Sequence, residues 1–197
     1  MSSVPFAILR HAPTEWNAAR RLQGLTDTCL SPEGEAAVRR RSLPPPADRW
    51  RRVSSPLQRA RRTAELLRPS MPVDVDSALR EMSFGVWEGH TVQELRATGG
   101  SAFAAAEAAG LDFQPPGGES PRAAMARIGR WSSTLREPVI AVSHKAAIRA
   151  LLALATGWDM LGRPPHRLDW ASLHFFVAHG DGRVTIDRLN VPLGSKP

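Results

Sequence analysis

Two short apolar runs, each ending near a histidine, constrain the fold of this chain most. Val4–Leu9 leads to His11 after one intervening residue, and Pro138–Val142 leads to His144 in the same way. Such runs are typical of parallel strands that are buried on both faces of a sheet. Because the carboxyl ends of parallel strands meet at one edge of the sheet, we expect the two histidines to lie close together there.

The rest of the chain alternates between helix and strand signals. Helices are predicted at Glu33–Arg41, Leu57–Leu67, Arg122–Leu135 and Lys145–Thr156, and short strands near Arg52–Ser54 and Val73–Val75. Close to the C-terminus, Leu173–Ala178 and Arg183–Leu189 flank a turn that contains two glycines, which predicts a β-hairpin. The alternation predicts an α/β fold of three layers, with helices on both faces of a mostly parallel central sheet.

The segment Arg96–Gly118 differs in composition from its surroundings. It is rich in alanine and glycine and ends in the run Pro115–Gly118, which indicates a short helix followed by a loop. We expect this small helical insertion to cover the site. With 197 residues, the chain is long enough for one well-buried domain and short for two. Residues 1–197 are therefore predicted to form a single domain.

The composition argues against several classes of protein. Cys29 is the only cysteine, so neither an intrachain disulfide framework nor a cysteine-rich zinc site can form. Glu35 stands six residues after Cys29, where cysteine phosphatases need an arginine, which argues against a thiol mechanism. The apolar stretches are far shorter than the ~18 residues of a membrane span, and the N-terminus shows no secretory signal. The sequence therefore predicts a cytoplasmic protein with no membrane partner.

The net charge of +7 rests almost entirely on arginine, since Lys145 and Lys196 are the only lysines among 26 basic residues. Such a charge is consistent with nucleic-acid binding, with an anionic small substrate or with a codon bias toward arginine. The tryptophans, Trp158 and Trp170 among them, are scattered without an alternating basic groove. We expect them to be packing residues and expect no nucleic-acid partner. The exposed edges of the sheet leave a homodimer open.

Residues suited to phosphoryl transfer follow the predicted strands. Arg10 and His11 follow the first strand, Arg59 and Glu81 come after the next two, and His144 follows the last parallel strand. Arginines bind phosphate oxygens through paired hydrogen bonds and stay charged. One imidazole can attack phosphorus while the second histidine and the arginines stabilise the charge that develops. A protonated carboxyl group can give its proton to the departing alkoxide.

Five motifs, in the same order along the chain, resemble those of the histidine phosphatase superfamily, which includes cofactor-dependent phosphoglycerate mutases and α-ribazole phosphatases. They are Leu9–Asn17, followed by Leu22–Gly24 and Leu30–Gly34; Ser54–Ala64; Leu79–Gly89; and Val142–His144 with Ile148 and Arg149. The first is similar to the Arg-His-Gly-x-Thr-x-x-Asn signature of the family. The resemblance implies a phosphoglycerate mutase-like fold and a metal-independent phosphatase of the histidine acid type, with no organic cofactor.

The resemblance also implies a role for each matching residue. His11 resembles the nucleophile that becomes phosphohistidine, and Glu81 resembles the general acid that later activates water. The phosphate pocket of the family is matched by Arg10, Arg59 and His144, and positions that line its phosphate or substrate side are matched by Asn17, Gln23 and Gly24. Glu88 is a nearby rival for the acid role. No metal site is implied.

The chain departs from the family pattern beside each histidine. Ala12 and Pro13 replace the glycine-containing loop after the first, and Lys145 and Ala146 replace the glycines that commonly follow the second. Alanine and proline allow less backbone freedom than glycine, so we expect a stiffer path beside His11. Lys145 adds a cation near the pocket if its side chain turns inward, which favours a more anionic substrate.

The sequence favours hydrolysis over transfer between two positions of a substrate. The stretch Glu81–Gly89 is similar to the version found in phosphatases of the family, and the insertion at Arg96–Gly118 is shorter than that of the mutases. A small lid admits water. The leading hypothesis is a phosphomonoesterase that hydrolyses small phosphate esters through a phosphohistidine. A cofactor-dependent phosphoglycerate mutase is the alternative, and a non-catalytic binder of phosphorylated ligands or nucleic acid is a third hypothesis.

Overall fold

The computed structural model describes residues 3–196, apart from the side chains of residues 101 and 102. Its strands are β1 (Ser3–Arg10), β2 (Arg41–Ser42), β3 (Arg51–Ser54), β4 (Asp74–Val75), β5 (Val139–Ser143), β6 (Ser172–His179), β7 (Val184–Pro192) and β8 (Gly194–Ser195). Its α-helices are α1 (Glu15–Ala18), α2 (Pro32–Arg39), α3 (Gln58–Leu67), α4 (Val92–Glu107), α5 (Pro121–Ser133) and α6 (Lys145–Thr156). Short 3-10 helices lie at Ala47–Arg49, Ser77–Leu79, Gly85–Trp87 and Gly110–Asp112.

The main sheet has six strands in the order β4-β3-β5-β1-β6-β7. Its first four strands are parallel, and β6 and β7 run antiparallel at the other edge. The predicted mostly parallel sheet and the C-terminal hairpin are thereby confirmed. The prediction that a helix extends to Arg41 is wrong, because α2 ends at Arg39 and Arg41 pairs with Ser195 in a separate two-stranded sheet of β2 and β8.

Alternating side chains of the central strands pack against helices on opposite faces of the sheet. In β1, Phe6 and Ile8 belong to the apolar core shared with α5 and α6, whereas Ala7 and Leu9 belong to the core shared with α2 and α3. This period of two is what a strand buried on both faces requires. The three-layer arrangement that the sequence predicts is confirmed.

Serine side chains begin two of the helices that border the sheet. Ser31 Oγ accepts a hydrogen bond from the backbone N–H of Gly34 at the start of α2, and Ser120 does the same for Ala123 at the start of α5. Proline follows each serine at the first helical position, where its missing N–H costs nothing.

Helix α6 ends at Thr156, as predicted, because the next residue, Gly157, adopts a left-handed φ of 72°.

The alanine-rich insertion begins earlier than its composition predicts. Helix α4 starts at Val92, where Thr91 and Glu94 form a reciprocal capping box, and it is kinked at Gly100 with φ 51°. Trp87 packs against this segment, with ring centroids 4.9 Å from Phe103. Within the described residues, no helix is both long and apolar enough to cross a membrane.

Candidate active site

The parallel strands β1, β3 and β5 end at the same level, so the residues that follow them lie at one edge of the sheet. Arg10 pairs with Ser143 in the β1–β5 register, and Ser54 of β3 pairs with Val142 of β5. The backbone N–H of His11 continues the ladder by donating to the Ser143 carbonyl at 2.9 Å. As a result, the ring centroids of His11 and His144 lie 5.2 Å apart, which confirms the predicted proximity of the two histidines.

His11 presents one free ring nitrogen. Its Nδ1 lies 2.7 Å from the carbonyl oxygen of Ala12, and because a carbonyl can only accept, Nδ1 carries the proton. Nε2 is therefore the unprotonated nitrogen of the neutral ring. Burial lowers the pKa of His11 well below its ordinary value, and the charges of Arg10 and Arg59 lower it further. A neutral imidazole with an unshared electron pair on Nε2 has the state that a nucleophile requires.

Backbone contacts fix the path of the chain after His11. The N–H of Ala12 donates to Thr63 Oγ1 at 2.9 Å, and the carbonyl of Pro13 accepts from the N–H of Ser31 at 3.0 Å. Gly34 of α2 packs so closely on this loop that a Cβ there would lie 2.2 Å from the Pro13 carbonyl oxygen. The stiff path expected from Ala12 and Pro13 is thus held by α2 and α3.

His144 stands at the start of α6 and is completely buried. Its Nε2 lies 2.7 Å from Ser55 Oγ, while its Nδ1 is buried without a hydrogen-bond partner. Burial lowers the pKa of His144 well below its ordinary value, and the neighbouring His11 and the charge of Arg59 lower it further. Nδ1 is therefore the ring nitrogen that remains for a ligand.

Arg10 and Arg59 supply positive charge in two different ways. Arg59 is fully buried and donates to the carbonyls of Thr26 at 2.8 Å and Gly24 at 2.7 Å, with Nε left unpartnered. Within residues 3–196, the guanidinium of Arg10 makes no hydrogen bond or ion pair, and its Nε is also buried. Arg59 thus joins the loop at Gly24 to the site, whereas the donors of Arg10 remain for a ligand such as phosphate.

Glu81 is held as a buried carboxyl group beside these cations. Its Oε1 accepts hydrogen bonds from the backbone N–H groups of Met82 at 3.0 Å and Ala146 at 3.1 Å. Burial raises the pKa of Glu81 above its ordinary value, although the Met82 hydrogen bond and the charge of Arg59 act in the opposite direction. A raised pKa favours the protonated form that a general acid needs.

Glu88, the rival carboxylate, accepts hydrogen bonds from two neighbouring loops. Burial alone raises its pKa, but hydrogen bonds from the Thr26 side chain and from the backbone N–H groups of Leu25, Thr26 and Phe84 bring the pKa of Glu88 below its ordinary value. Gly24 has φ 54°, and a Cβ there would lie 2.0 Å from Glu88 Oε1. Glu88 therefore organises the loop that contains Gly24, and glycine leaves the room for it.

The three positions predicted to line the substrate side occupy different places. Asn17 lines the cavity beside His11, and its Oδ1 accepts from the N–H of Thr14 at 3.1 Å. Gln23 is buried and accepts from Thr28 Oγ1 at 2.8 Å. Gly24 contributes its carbonyl to Arg59. The structure brings Asn17 to the cavity, whereas Gln23 and Gly24 are not among the residues that line it.

A cavity of about 1180 Å³ opens beside Arg10, His11 and Asn17. Its far wall comes from the loop Arg163–Ala171, including Trp170. A second cavity of about 290 Å³ lies on the other side, between Met82, Ala146 and the Glu107–Phe113 part of the insertion. The insertion predicted at Arg96–Gly118 therefore borders the Glu81 side of the site, and its role as a cover stays a prediction.

No functional role was predicted for Ser55, for Thr63 or for the loop residues Arg167–Ala171. Ser55 and Thr63 lie inside the matched motif Ser54–Ala64, so the signal was present, but their hydrogen-bond partners are distant in the chain. Trp170 was expected to be a packing residue, whereas it lines the cavity and lies 5.4 Å from Lys145 Nζ. Across residues 3–196, no group of three or more histidine, cysteine, aspartate or glutamate residues is arranged to hold a metal ion.

A histidine with a free nitrogen, a second buried histidine, two arginines and a buried carboxyl group with a raised pKa lie at one sheet edge. This combination is typical of sites for phosphoryl transfer. Comparison with known proteins gives the family. The sequence profile of the histidine phosphatase superfamily (branch 1) matches residues 6–192. The chain therefore belongs to this superfamily, as its motifs predicted.

Individual relatives agree with this assignment. The chain is 35% identical over 178 residues to the glucosyl-3-phosphoglycerate phosphatase of Mycolicibacterium vanbaalenii, covering 79% of this chain and 77% of the relative. It is 32% identical over 162 residues to the probable phosphoglycerate mutase GpmB of Salmonella paratyphi C, covering 76% and 74%. The solved structure of a mycobacterial glucosyl-3-phosphoglycerate phosphatase matches with a TM-score of 0.73 at 29% identity, over 95% of this chain and 99% of that one. The predicted phosphatase class and the predicted mutase alternative are thus both represented among the relatives.

Proposed function

We propose that this protein is a phosphomonoesterase that hydrolyses small phosphate esters through a phosphohistidine at His11, without a metal ion. The observation that carries the proposal is the state of His11: Nδ1 is fixed as a donor to the Ala12 carbonyl, and the neutral ring leaves Nε2 free. The unengaged guanidinium of Arg10 lies beside it. The phosphatase relatives support hydrolysis as the reaction.

In the first step, Nε2 of His11 attacks phosphorus and the bond from phosphorus to the ester oxygen breaks. Arg10, the free Nε of Arg59 and Nδ1 of His144 stabilise the phosphoryl oxygens as charge spreads over them. His144 can donate from Nδ1 when Ser55 donates its hydroxyl proton to Nε2, a direction that their 2.7 Å contact allows. Protonated Glu81 gives its proton to the departing alkoxide, which leaves as a neutral alcohol.

In the second step, the Glu81 carboxylate accepts a proton from water, and the resulting hydroxide attacks the phosphorus of phosphohistidine. The bond between phosphorus and Nε2 breaks, inorganic phosphate forms, and Glu81 ends in its protonated state. The hydrogen bonds from Met82 and Ala146 keep the carboxyl group in place through both steps. The open cavity of about 1180 Å³ beside His11 gives water a path to the intermediate.

The phosphoglycerate mutase alternative has one specific support, the similarity to GpmB over three quarters of the chain. A mutase would have to keep its intermediate from water until the phosphoryl group is transferred to a second position. The two reactions are separated by supplying 2- or 3-phosphoglycerate. Hydrolysis releases inorganic phosphate, whereas interconversion well above the rate of release would identify a mutase.

The proposal is tested by the hydrolysis of para-nitrophenyl phosphate in EDTA, comparing the wild type, His11→Ala and His179→Ala. His179 lies opposite Ser3, at the end of β1 away from the site, and serves as a matched control. We expect turnover by the wild type and His179→Ala in EDTA, and a loss of about 1000-fold or more in His11→Ala. Full activity of His11→Ala, or loss of wild-type activity in EDTA, would contradict the proposal.

A further inference from the structure

Two cations on the first turns of α6 have no anionic partner in the part of the chain that the structure describes. Lys145 Nζ lies 5.4 Å from the ring centroid of Trp170, and Arg149 Cζ lies 5.0 Å from that of Trp158. Residues four apart on a helix are neighbours on one face. Within residues 3–196, no carboxylate forms an ion pair with either cation, and no side-chain hydrogen bond engages them.

Arg149 occupies the more costly position for an unpaired charge, because Lys145 is exposed and Arg149 is not. Arg149 is half-buried, and burial lowers its pKa. Lys145 is exposed, but partial burial lowers its pKa. The charges of Arg10 and Arg149 lower the pKa of Lys145 further, and the charge of Glu81 acts in the opposite direction. The face of an aromatic ring compensates a buried cation only in part. An anionic ligand would compensate it more fully.

The two cations stand on α6, the helix whose first turn contacts Glu81, the proposed proton donor to the leaving group. Ala146, which follows Lys145 on the first turn of α6, donates its N–H to Glu81, the proposed acid. Arg149 lines the smaller cavity together with Met82 and Ala146. Trp170, against which Lys145 lies, lines the larger cavity with His11. Lys145 therefore neighbours one lining residue of each cavity, Trp170 of the larger and Ala146 of the smaller.

We propose that Lys145 and Arg149 bind a second anionic group, a carboxylate or a phosphate, on the leaving-group part of the substrate. This inference rests on the proposed function in one respect: Arg10 and Arg59 are taken to bind the phosphate group that is removed. It defines the substrate class as phosphate monoesters that carry a further negative charge. The neighbouring rings of Trp158 and Trp170 provide apolar surface for the carbon chain between the two anionic groups.

The test measures binding, so that it does not depend on turnover. In a His11→Ala background, calorimetry gives the Kd of two matched pairs of ligands: 3-phosphoglycerate against glycerol 3-phosphate, and fructose 1,6-bisphosphate against fructose 6-phosphate. The members of each pair differ by one carboxylate or one phosphate. We expect the more anionic member of at least one pair to bind about ten-fold more tightly or better, a typical effect of a charge-assisted contact.

Single substitutions then show which residues cause the preference for the more anionic ligand. Lys145→Met and Arg149→Met should each remove most of the preference within the pair. The matched control is Arg130→Met, which removes one exposed charge from α5 at a residue that forms no ion pair and should leave the preference intact. Circular dichroism of each variant checks that the fold is retained.

The pattern of binding preferences identifies the second anionic group. A preference confined to the first pair identifies a carboxylate as the second anion, and one confined to the second pair identifies a phosphate. Equal Kd values within both pairs, a preference that survives in Lys145→Met and Arg149→Met, or an equal loss in Arg130→Met would overturn the inference. Absence of turnover by the wild type, with the binding preference intact, would instead count against the proposed phosphatase.

Discussion

His144 and Ser55 are joined across the carboxyl edge of the sheet by a contact of 2.7 Å between Nε2 and Oγ, and both residues are fully buried. They follow different strands, β5 and β3, which lie side by side with Ser54 opposite Val142. The contact engages one ring nitrogen and leaves Nδ1 for a ligand. Ser55 is therefore a positioning residue, because it acts on the substrate through His144.

Replacing Ser55 by alanine should lower kcat/KM about ten-fold, because one buried hydrogen bond is lost and His144 can carry its proton on either nitrogen. Nitrogen NMR of the imidazole reports which tautomer is present and should change in Ser55→Ala. Ser54→Ala is the matched control, since Ser54 Oγ donates to the Ser55 carbonyl and does not touch His144. An unchanged tautomer and unchanged kcat/KM in Ser55→Ala would remove this role.

Arg10 and Arg59 should differ in their effect on stability although both are proposed to bind phosphate. Arg59→Gln leaves the carbonyls of Gly24 and Thr26 without their charged donors, so the free energy of unfolding should fall by about 2 kcal/mol. Arg10→Gln breaks no side-chain hydrogen bond or ion pair within the described residues and should change the free energy of unfolding by less than about 0.5 kcal/mol. Both variants should lose about 100-fold in kcat/KM.

Denaturant titration with and without inorganic phosphate measures both effects. Phosphate should stabilise the wild type and fail to stabilise either variant, because a ligand that binds only the folded state raises its stability. Stabilisation of Arg10→Gln by phosphate to the wild-type extent would show that Arg10 does not bind it.

Glu81 and Glu88 should respond differently to the quality of the leaving group. Glu81→Gln cannot donate a proton, so hydrolysis of an alkyl phosphate should fall by about 100-fold or more, and hydrolysis of para-nitrophenyl phosphate should fall less because its leaving group needs little protonation. Glu88→Gln weakens the loop at Leu25 and Thr26 and should lower the activity on both esters in equal proportion. The ratio of kcat for the two esters is the readout. A change in that ratio in Glu88→Gln, but not in Glu81→Gln, would exchange the two assignments.

The pH dependence of kcat should follow from the opposite pKa shifts of His11 and Glu81. His11 attacks only when neutral, and its lowered pKa keeps it neutral to well below the ordinary titration range of histidine. Glu81 donates only when protonated, so activity should fall as the pH rises through its raised pKa. In Glu81→Gln this fall on the alkaline side should disappear for para-nitrophenyl phosphate. An alkaline fall that persists in Glu81→Gln would assign it to another group.

The sequence predicted those parts of the fold and site that depend on residues close together in the chain. The apolar runs before His11 and His144 determine two neighbouring strands, and the parallel register then brings the histidines together. The hairpin of β6 and β7 follows from its glycine-containing turn. Ser31 and Ser120 indicate helix starts because the capping interaction spans only three residues.

The parts that the sequence did not predict depend on contacts between distant segments. The pairing of Arg41 with Ser195 replaces the last turn of a predicted helix, since β8 supplies hydrogen bonds from the far end of the chain. The contact of Lys145 with Trp170 joins α6 to a loop with no motif of its own. The sequence left Glu88 as a rival to Glu81. The two differ only in the folded chain, where burial raises the pKa of Glu81 and hydrogen bonds bring the pKa of Glu88 below its ordinary value.

The central claim is that a phosphoryl group passes through His11, and trapping that intermediate tests it most directly. The wild type is mixed with a phosphate ester for less than one turnover and quenched in alkali, in which phosphohistidine survives, and the peptides are then mapped by mass spectrometry. We predict one phosphoryl group on the peptide that contains His11, and none in His11→Ala treated identically. A wild type that releases phosphate without any labelled histidine, or a label that persists in His11→Ala, would contradict the account.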